Sequence, residues 1–267
     1  MKAVILGAGN LASSLAPALV RAGVEIVQVF SRTEQSAARL ALCLNNLQAT
    51  RVLTTTSLKE IKPDAELYIY AIRDDALPEV IEKVAALGCG GEALHMHTSG
   101  SAPLETLSKC FRRAAVFYPF QTFTLNAEVD FSHVPLFIEA TDDLTLGQVR
   151  TIALLLTQNI YVADESQRKR LHIAGVFANN FSNAMFAIAS EQLQMAGLPF
   201  SVLLPLITQT AEKVHRMSPK QAQTGPAARH DLGTIAEHLE KLGGQEQQIY
   251  QLLTDYILQH ISPDTEN

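Results

Sequence analysis

His172, Asn179 and Asn183 recur at intervals of seven and four, which sets them on one face of a helix. An imidazole titrates near neutrality and can exchange a proton with a reacting group, and a carboxamide can hold a carbonyl by hydrogen bonds. Val176 and Phe186 continue the stripe, so these polar groups are expected in an apolar seam where they need partners. Asn180 replaces Asn179 in that role if the helix phase moves by one. Thr224-Gly225-Pro226-Ala227-Ala228-Arg229-His230-Asp231 reads as a rigid turn entering a helix, with Arg229 one turn in and able to hold a carboxylate or phosphate. Asp231 either orients Arg229 or caps the chain. In His95-Met96-His97-Thr98-Ser99-Gly100-Ser101, hydroxyls and backbone amides of Thr98, Ser99 and Gly100 could meet a ligand. His95 and His97 share a face, but no acid or cysteine lies nearby at ligand spacing, so no metal is expected. Tyr118-Pro119-Phe120-Gln121 either lines the same rim or turns the chain.

Gly7-Ala8-Gly9-Asn10-Leu11-Ala12 follows a short apolar run and opens an apolar-periodic segment, which fits G-x-G-x-x-G/A. The first glycine permits a tight turn, the second admits a diphosphate against the backbone, and Ala12 lets helix and strand pack closely. Gly7, Gly9, Asn10 and Leu11 are therefore expected to cradle a pyrophosphate on a helix amino end. At the tip of the second strand an NAD-binding chain usually carries Asp or Glu for the ribose hydroxyl. Here stand Ser31, Arg32 and Thr33, a cation between hydroxyls, which suits the 2′-phosphate of NADP(H). The backbone of Ala71, Ile72 and Arg73 is expected near the ribose and nicotinamide. Asp74 and Asp75 read as helix caps.

To place these residues, strands are expected at Lys2–Leu6, Glu25–Phe30, Arg51–Thr54, Glu66–Ile72, Ala93–His97, Ala114–Tyr118, Leu136–Glu139 and Asn159–Val162. Helices are expected near Asn10–Ala22, Glu34–Asn45, Asp75–Leu87 and Asp143–Leu156. That alternation argues for an α/β fold, a doubly wound, mostly parallel Rossmann sheet over residues 1–163. From residue 164 a helical period takes over through Glu165–Ala196, Pro199–Met217 and Gly244–His260, giving an all-helical domain over 164–267 with a polar, frayed tail at Ser262–Asn267.

The 267 residues suit one or two domains, and 47% hydrophobic with 18% charged residues can build a sizeable core. A net charge of −6 argues against a broad nucleic-acid or anionic-membrane surface. Cys43, Cys89 and Cys110 are widely spaced with no CxxC pair, and read as reduced thiols that mostly fill space. With no apolar run long enough to span a membrane, a cytoplasmic location is expected.

Together GAGNLA (7–12), SRT (31–33), IRDDAL (72–77), HTSGS (97–101), YPFQTF (118–123), HIAGVFANNF (172–181) and TGPAARHD (224–231) resemble the Rossmann-like family with a DUF2520 C-terminal domain. That family lies in the superfamily of 6-phosphogluconate dehydrogenase, pyrroline-5-carboxylate reductase and ketopantoate reductase. The resemblance implies an NADP-binding oxidoreductase; with the residues above, the reading is an NADP(H)-dependent reductase or dehydrogenase of a small carbonyl, imine or hydroxy-acid substrate, with Arg229 as the anchor for an anionic one. The resemblance also implies a homodimer through the helical domain. His172 and Asn179 would serve catalysis, and Arg229, Thr224 and Gly225 would bind substrate. Relatives that use a lysine carry it one turn before an asparagine, where this chain has Gly175 or Val176. The alternatives are a non-catalytic NADP(H) sensor and an oxidoreductase using the deazaflavin F420.

Overall fold

The computed structural model describes residues 1–260 apart from Gly90 and Asn126, so the expected tail at 262–267 lies outside the described residues. The chain divides into one compact unit of residues 1–179 and a second beginning at residue 180.

In the first unit the strands β1 (Lys2–Leu6), β2 (Glu25–Phe30), β3 (Leu53–Thr55), β4 (Leu67–Tyr70), β5 (Leu94–His97), β6 (Ala114–Pro119), β7 (Leu136–Ala140) and β8 (Ile160–Val162) form one sheet in the order β3-β2-β1-β4-β5-β6-β7-β8. Its helices are α1 (Asn10–Arg21), α2 (Glu34–Asn45), α3 (Leu77–Ala86), α4 (Glu105–Ser108), α5 (Asp143–Leu154) and α6 (Glu165–Gly175). Central strands read as unbroken apolar runs because both faces are covered. Ala3 and Ile5 of β1 join Leu67 and Ile69 in a core with Leu15 and Leu19 of α1. Val4 and Leu6, facing the other way, join Tyr68 and Tyr70 in a core with Ile81 and Val84 of α3. The strand order reverses between β1 and β4, which makes their carboxyl ends the place where such sheets bind ligands.

β1 to β6 pair in parallel, as expected from strands alternating with helices, but β7 runs antiparallel to β6. Between them, the described residues of 120–135 hold a single 3₁₀ turn at Phe131–His133 and no helix long enough to carry the chain back across the sheet, so it returns reversed. The last strand ends at Val162 and the helical run begins at Glu165, yet α6 still belongs to the first unit. Arg168 accounts for this. Its side chain is fully buried, pairs with Glu139 of β7, and donates to the carbonyls of Ala163 at 3.2 Å and Ala102 at 3.1 Å.

The second unit holds α7 (Ser182–Met195), α8 (Leu204–Lys213), α9 (Pro219–Ala222), α10 (Leu232–Lys241) and α11 (Gly244–His260). The helix expected to be entered at Pro226 starts later, as α10 after Asp231. Its start is fixed by Asp231, which accepts from the Thr234 amide at 3.1 Å. His238 and Tyr250 join α10 to α11 at 2.8 Å, and Gln192 donates to Glu246 at 2.9 Å to join α7 to α11. Many large apolar side chains of this unit lie exposed, among them Met195, Leu206, Leu232, Leu252 and Tyr256.

Candidate functional site

Gly7 donates its amide to the Phe30 carbonyl at 2.8 Å and adopts φ +116°, a conformation that favours glycine. A Cβ on Gly7 would fall 2.1 Å from the carbonyl oxygen of Ala71, so β1 and the end of β4 meet there with no room for any side chain. Gly9 differs. It has ordinary backbone angles, caps α1 with no side-chain bond to the first turn, and a Cβ there would meet nothing within 4 Å. Gly7 is required by the fold, whereas the space above Gly9, with Asn10 and Leu11 following, is free for a ligand. Helix amides facing such space suit a diphosphate. Arg39 of α2 donates to the Ala8 carbonyl at 2.9 Å and braces this turn, a contact that the sequence pattern does not signal.

At the β2 tip, Ser31 is buried with its amide on the Thr55 carbonyl at 3.2 Å, and Arg32 projects into solvent. Thr33 has a structural duty: its hydroxyl caps α2, accepting from the Ser36 amide at 3.4 Å and donating to the Ser36 hydroxyl at 2.9 Å. No acidic side chain occupies this tip.

Beyond β4, the aspartates are not the caps their position suggests. No side chain caps α3. Asp75 pairs with Arg73 at 2.7 Å, and Asp74 accepts a hydrogen bond from the Ser101 hydroxyl. Asp74 thus joins the ends of β4 and β5.

The loop after β5 folds inward. Thr98 donates to the Tyr70 carbonyl at 3.3 Å, and the Ser99 hydroxyl accepts from the amides of Ser101 at 3.1 Å and Ala102 at 2.9 Å. Gly100 is buried beneath Tyr118, whose ring carbon Cζ would lie 2.5 Å from a Cβ at that glycine and whose hydroxyl oxygen 2.9 Å from it. At this rim Ser99 and Gly100 are buried, whereas Tyr118 is half-buried and keeps its hydroxyl at the edge. Its hydroxyl lies 3.3 Å from Nδ1 of His172 on α6, a length consistent with a site that tightens on binding. Burial raises the phenol's pKa above its ordinary value, and the Asp74 carboxylate raises it further.

His95 and His97 have other surroundings. His95 is stacked between Tyr68 and Phe111, at centroid distances of 4.6 and 3.5 Å, with Nδ1 3.0 Å from the Tyr70 hydroxyl. Nδ1 of His97 accepts from the Ser99 amide at 3.3 Å, which assigns its proton to Nε2. Burial lowers His95 to about 3; burial, then the Arg168 charge, lowers His97 to about 4.

The expected apolar seam on the His172 helix is not what forms. A π-turn at Val176–Phe181 separates α6 from α7 and breaks the 3.6-residue phase, and His172, Asn179 and Asn183 are all exposed. One turn before Asn179, a Cβ on Gly175 would lie 2.8 Å from the Phe120 ring, so a side chain there requires that ring to move. In the second unit, Ala227–Arg229 is a single 3₁₀ turn rather than the start of a long helix, and His230 follows at φ 55°. Asp231 caps α10, with the Thr234 amide as the largest cause of its lowered pKa and the Arg229 charge a smaller one. Arg229 and Thr224 are exposed, and Gly225 turns the chain at φ +108°.

Cys89 is buried, while Cys43 and Cys110 are exposed and so fill no core space. A cavity of about 700 Å³ opens at the opposite rim, lined by Asp64, Glu66, Glu92 and Arg113 among others, and holds no residue of the candidate site. Among the described residues no helix is long and apolar enough to cross a membrane.

Two family profiles match the chain: "NADP oxidoreductase coenzyme F420-dependent" over residues 2–88 and "Domain of unknown function (DUF2520)" over residues 134–257. A Bacteroides fragilis protein assigned as an NADP oxidoreductase is 44% identical, with a TM-score of 0.90 over 97% of this chain and 98% of its own. A Thermotoga maritima protein is 21% identical, with a TM-score of 0.71 over 97% and 98%. Plasmodium falciparum pyrroline carboxylate reductase, solved with NADP bound, shares the fold at 12% identity and a TM-score of 0.61 over 97% and 96%. Among curated proteins none matches the sequence.

Proposed function

The chain belongs to the family of NADP oxidoreductases that joins a coenzyme-binding sheet to a DUF2520 domain, and from that premise we propose that it is an NADP(H)-dependent reductase, or the reverse dehydrogenase, of a small carbonyl, imine or hydroxy acid. The observation that carries the reading is the open space above Gly9 at the uncapped start of α1, with exposed Arg32 and no acid at the β2 tip. Gly7, Gly9, Asn10 and Leu11 hold the pyrophosphate, and Ser31, Arg32 and Thr33 the 2′-phosphate. Ala71 and Ile72 pass beside the ribose, and the Ser99–Gly100 loop backs the nicotinamide. Bound NADPH supplies a hydride to the substrate carbon. His172, hydrogen-bonded to Tyr118, takes part in the exchange of the accompanying proton. Asn179 offers a carboxamide to the substrate, and Arg229 with Thr224 and Gly225 is an anion-binding candidate within the helical unit. The exposed apolar side chains of that unit favour a homodimer through it.

The test is the loss of dihydronicotinamide absorbance when purified protein and NADPH meet pyruvate, 2,3-butanedione or 2-methyl-1-pyrroline. Reduction of at least one acceptor, faster with NADPH than with NADH, is expected. Tight NADPH binding with no turnover on any acceptor would favour a sensor instead, and parallel titration with F420 separates the deazaflavin alternative.

A further inference from the structure

The phenol of Tyr118 is the group that best bridges the strand-end loop and α6. Its ring covers Gly100, with the hydroxyl oxygen 2.9 Å from a Cβ built on that glycine and 3.3 Å from Nδ1 of His172. One turn after His172 stands Gly175, which has no side chain to deliver a proton and whose face is covered by the ring of Phe120. Tyr118 and Phe120 meet edge to face with centroids 6.0 Å apart, which fixes the phenol's direction.

We propose that Tyr118 is the proton donor of the reductive reaction and that His172 returns the proton to it. The proposal rests on the reductase reading. As the substrate carbon gains the hydride, the π electrons of its C=O or C=N bond move to the heteroatom, which takes the phenolic proton. The resulting phenolate takes the Nδ1 proton of a protonated His172, and the exposed imidazole recovers a proton from water. With His172 protonated, its Nδ1–H donates to the phenol oxygen and leaves the phenol's own proton directed outward.

The titratable groups facing the phenol are His172 on α6 and Asp74 after β4; His97 of β5 is buried nearby as the neutral imidazole. Burial and Asp74 both hold the phenol in its protonated form, the form a donor needs.

Tyr118→Phe keeps the ring over Gly100 and removes only the hydroxyl. Three measurements test the assignment: phenolate absorbance against pH for the coenzyme-free protein, NADPH affinity, and kcat with pyruvate, 2,3-butanedione or 2-methyl-1-pyrroline. In the difference between wild type and Tyr118→Phe, a tyrosine that ionises later than free tyrosine is expected, with its midpoint moved in His172→Gln. NADPH affinity should stay within about two-fold while kcat falls about 100- to 1,000-fold, the usual worth of general acid catalysis. His172→Gln should keep part of the activity and change its pH profile. Retention of kcat within about three-fold in Tyr118→Phe, or no late-ionising phenol in the difference spectrum, overturns the proposal. If wild type binds NADPH yet reduces none of these acceptors, the reductase reading fails and this assignment falls with it. That result is distinct from wild-type turnover surviving in the variant.

Discussion

Acidification from pH 7.5 to pH 5 is expected to remove about 4 kcal/mol of folding stability through two histidines alone. His95 and His97 are wholly buried, and burial holds them at about 3 and about 4, far below an unfolded histidine near 6.5. For a base whose folded pKa is depressed, the unfolded state binds the proton first, so the stabilisation is complete above about 6.5 and is lost as pH falls. Each group then costs about 1.4 kcal/mol per pH unit, or about 2 kcal/mol by pH 5. Native carboxylates whose pKa values are lowered, such as Asp142 and Asp231, lose their contribution only at more acid pH. Urea midpoints for wild type and His95→Phe at the two pH values are the check. The variant keeps a ring between Tyr68 and Phe111 and should lose about half of the pH dependence. A wild-type midpoint that does not move between pH 7.5 and 5 would refute the assignment.

Glu139→Ala should destabilise the sheet unit by about 3–5 kcal/mol, because it leaves Arg168 charged and fully buried without its partner. The two carbonyls of Ala163 and Ala102 would still accept from the guanidinium, but neither carries a charge. Since Ala102 closes the loop that supports Tyr118, NADPH-linked turnover is also expected to suffer. The double variant Glu139→Leu with Arg168→Met is the control. Replacing a buried pair by apolar groups of similar size is often neutral or stabilising, so it should recover most of the loss. Denaturant unfolding at pH 7.5 decides it, and a Glu139→Ala midpoint within about 1 kcal/mol of wild type would contradict the account.

Both effects come from residues whose importance is spatial. Arg168 lies in the basic run Arg168-Lys169-Arg170, and its partners inside, the Glu139 carboxylate 29 residues earlier and the Ala102 carbonyl 66 residues earlier, are far off in the chain. The glycine turn was legible because its signal is local: a strand, two glycines and a helix within a few residues. The end of β2 at Phe30 was legible for the same reason. The reversal of β7 was not, since alternation of strands and helices carries no direction once a connection lacks a helix. Tyr118 was visible as a residue at the right rim, but its partner His172 lies 54 positions away. The expected stripe from His172 to Asn183 assumed one unbroken helical phase, and the π-turn at Val176–Phe181 invalidates that assumption. Asp74 looked like a cap because caps and site carboxylates share the same place at a helix start; its bond to Ser101 distinguishes them.

The most direct test is calorimetric titration of the purified chain with NADPH and NADH, repeated on Arg32→Ala. The account predicts micromolar NADPH affinity, NADH weaker by about ten-fold or more, and loss of that preference in the variant, as expected when a charge-assisted phosphate contact is removed. Absence of heat from NADPH and NADP⁺ at millimolar concentration, or a preference for NADH, would contradict it.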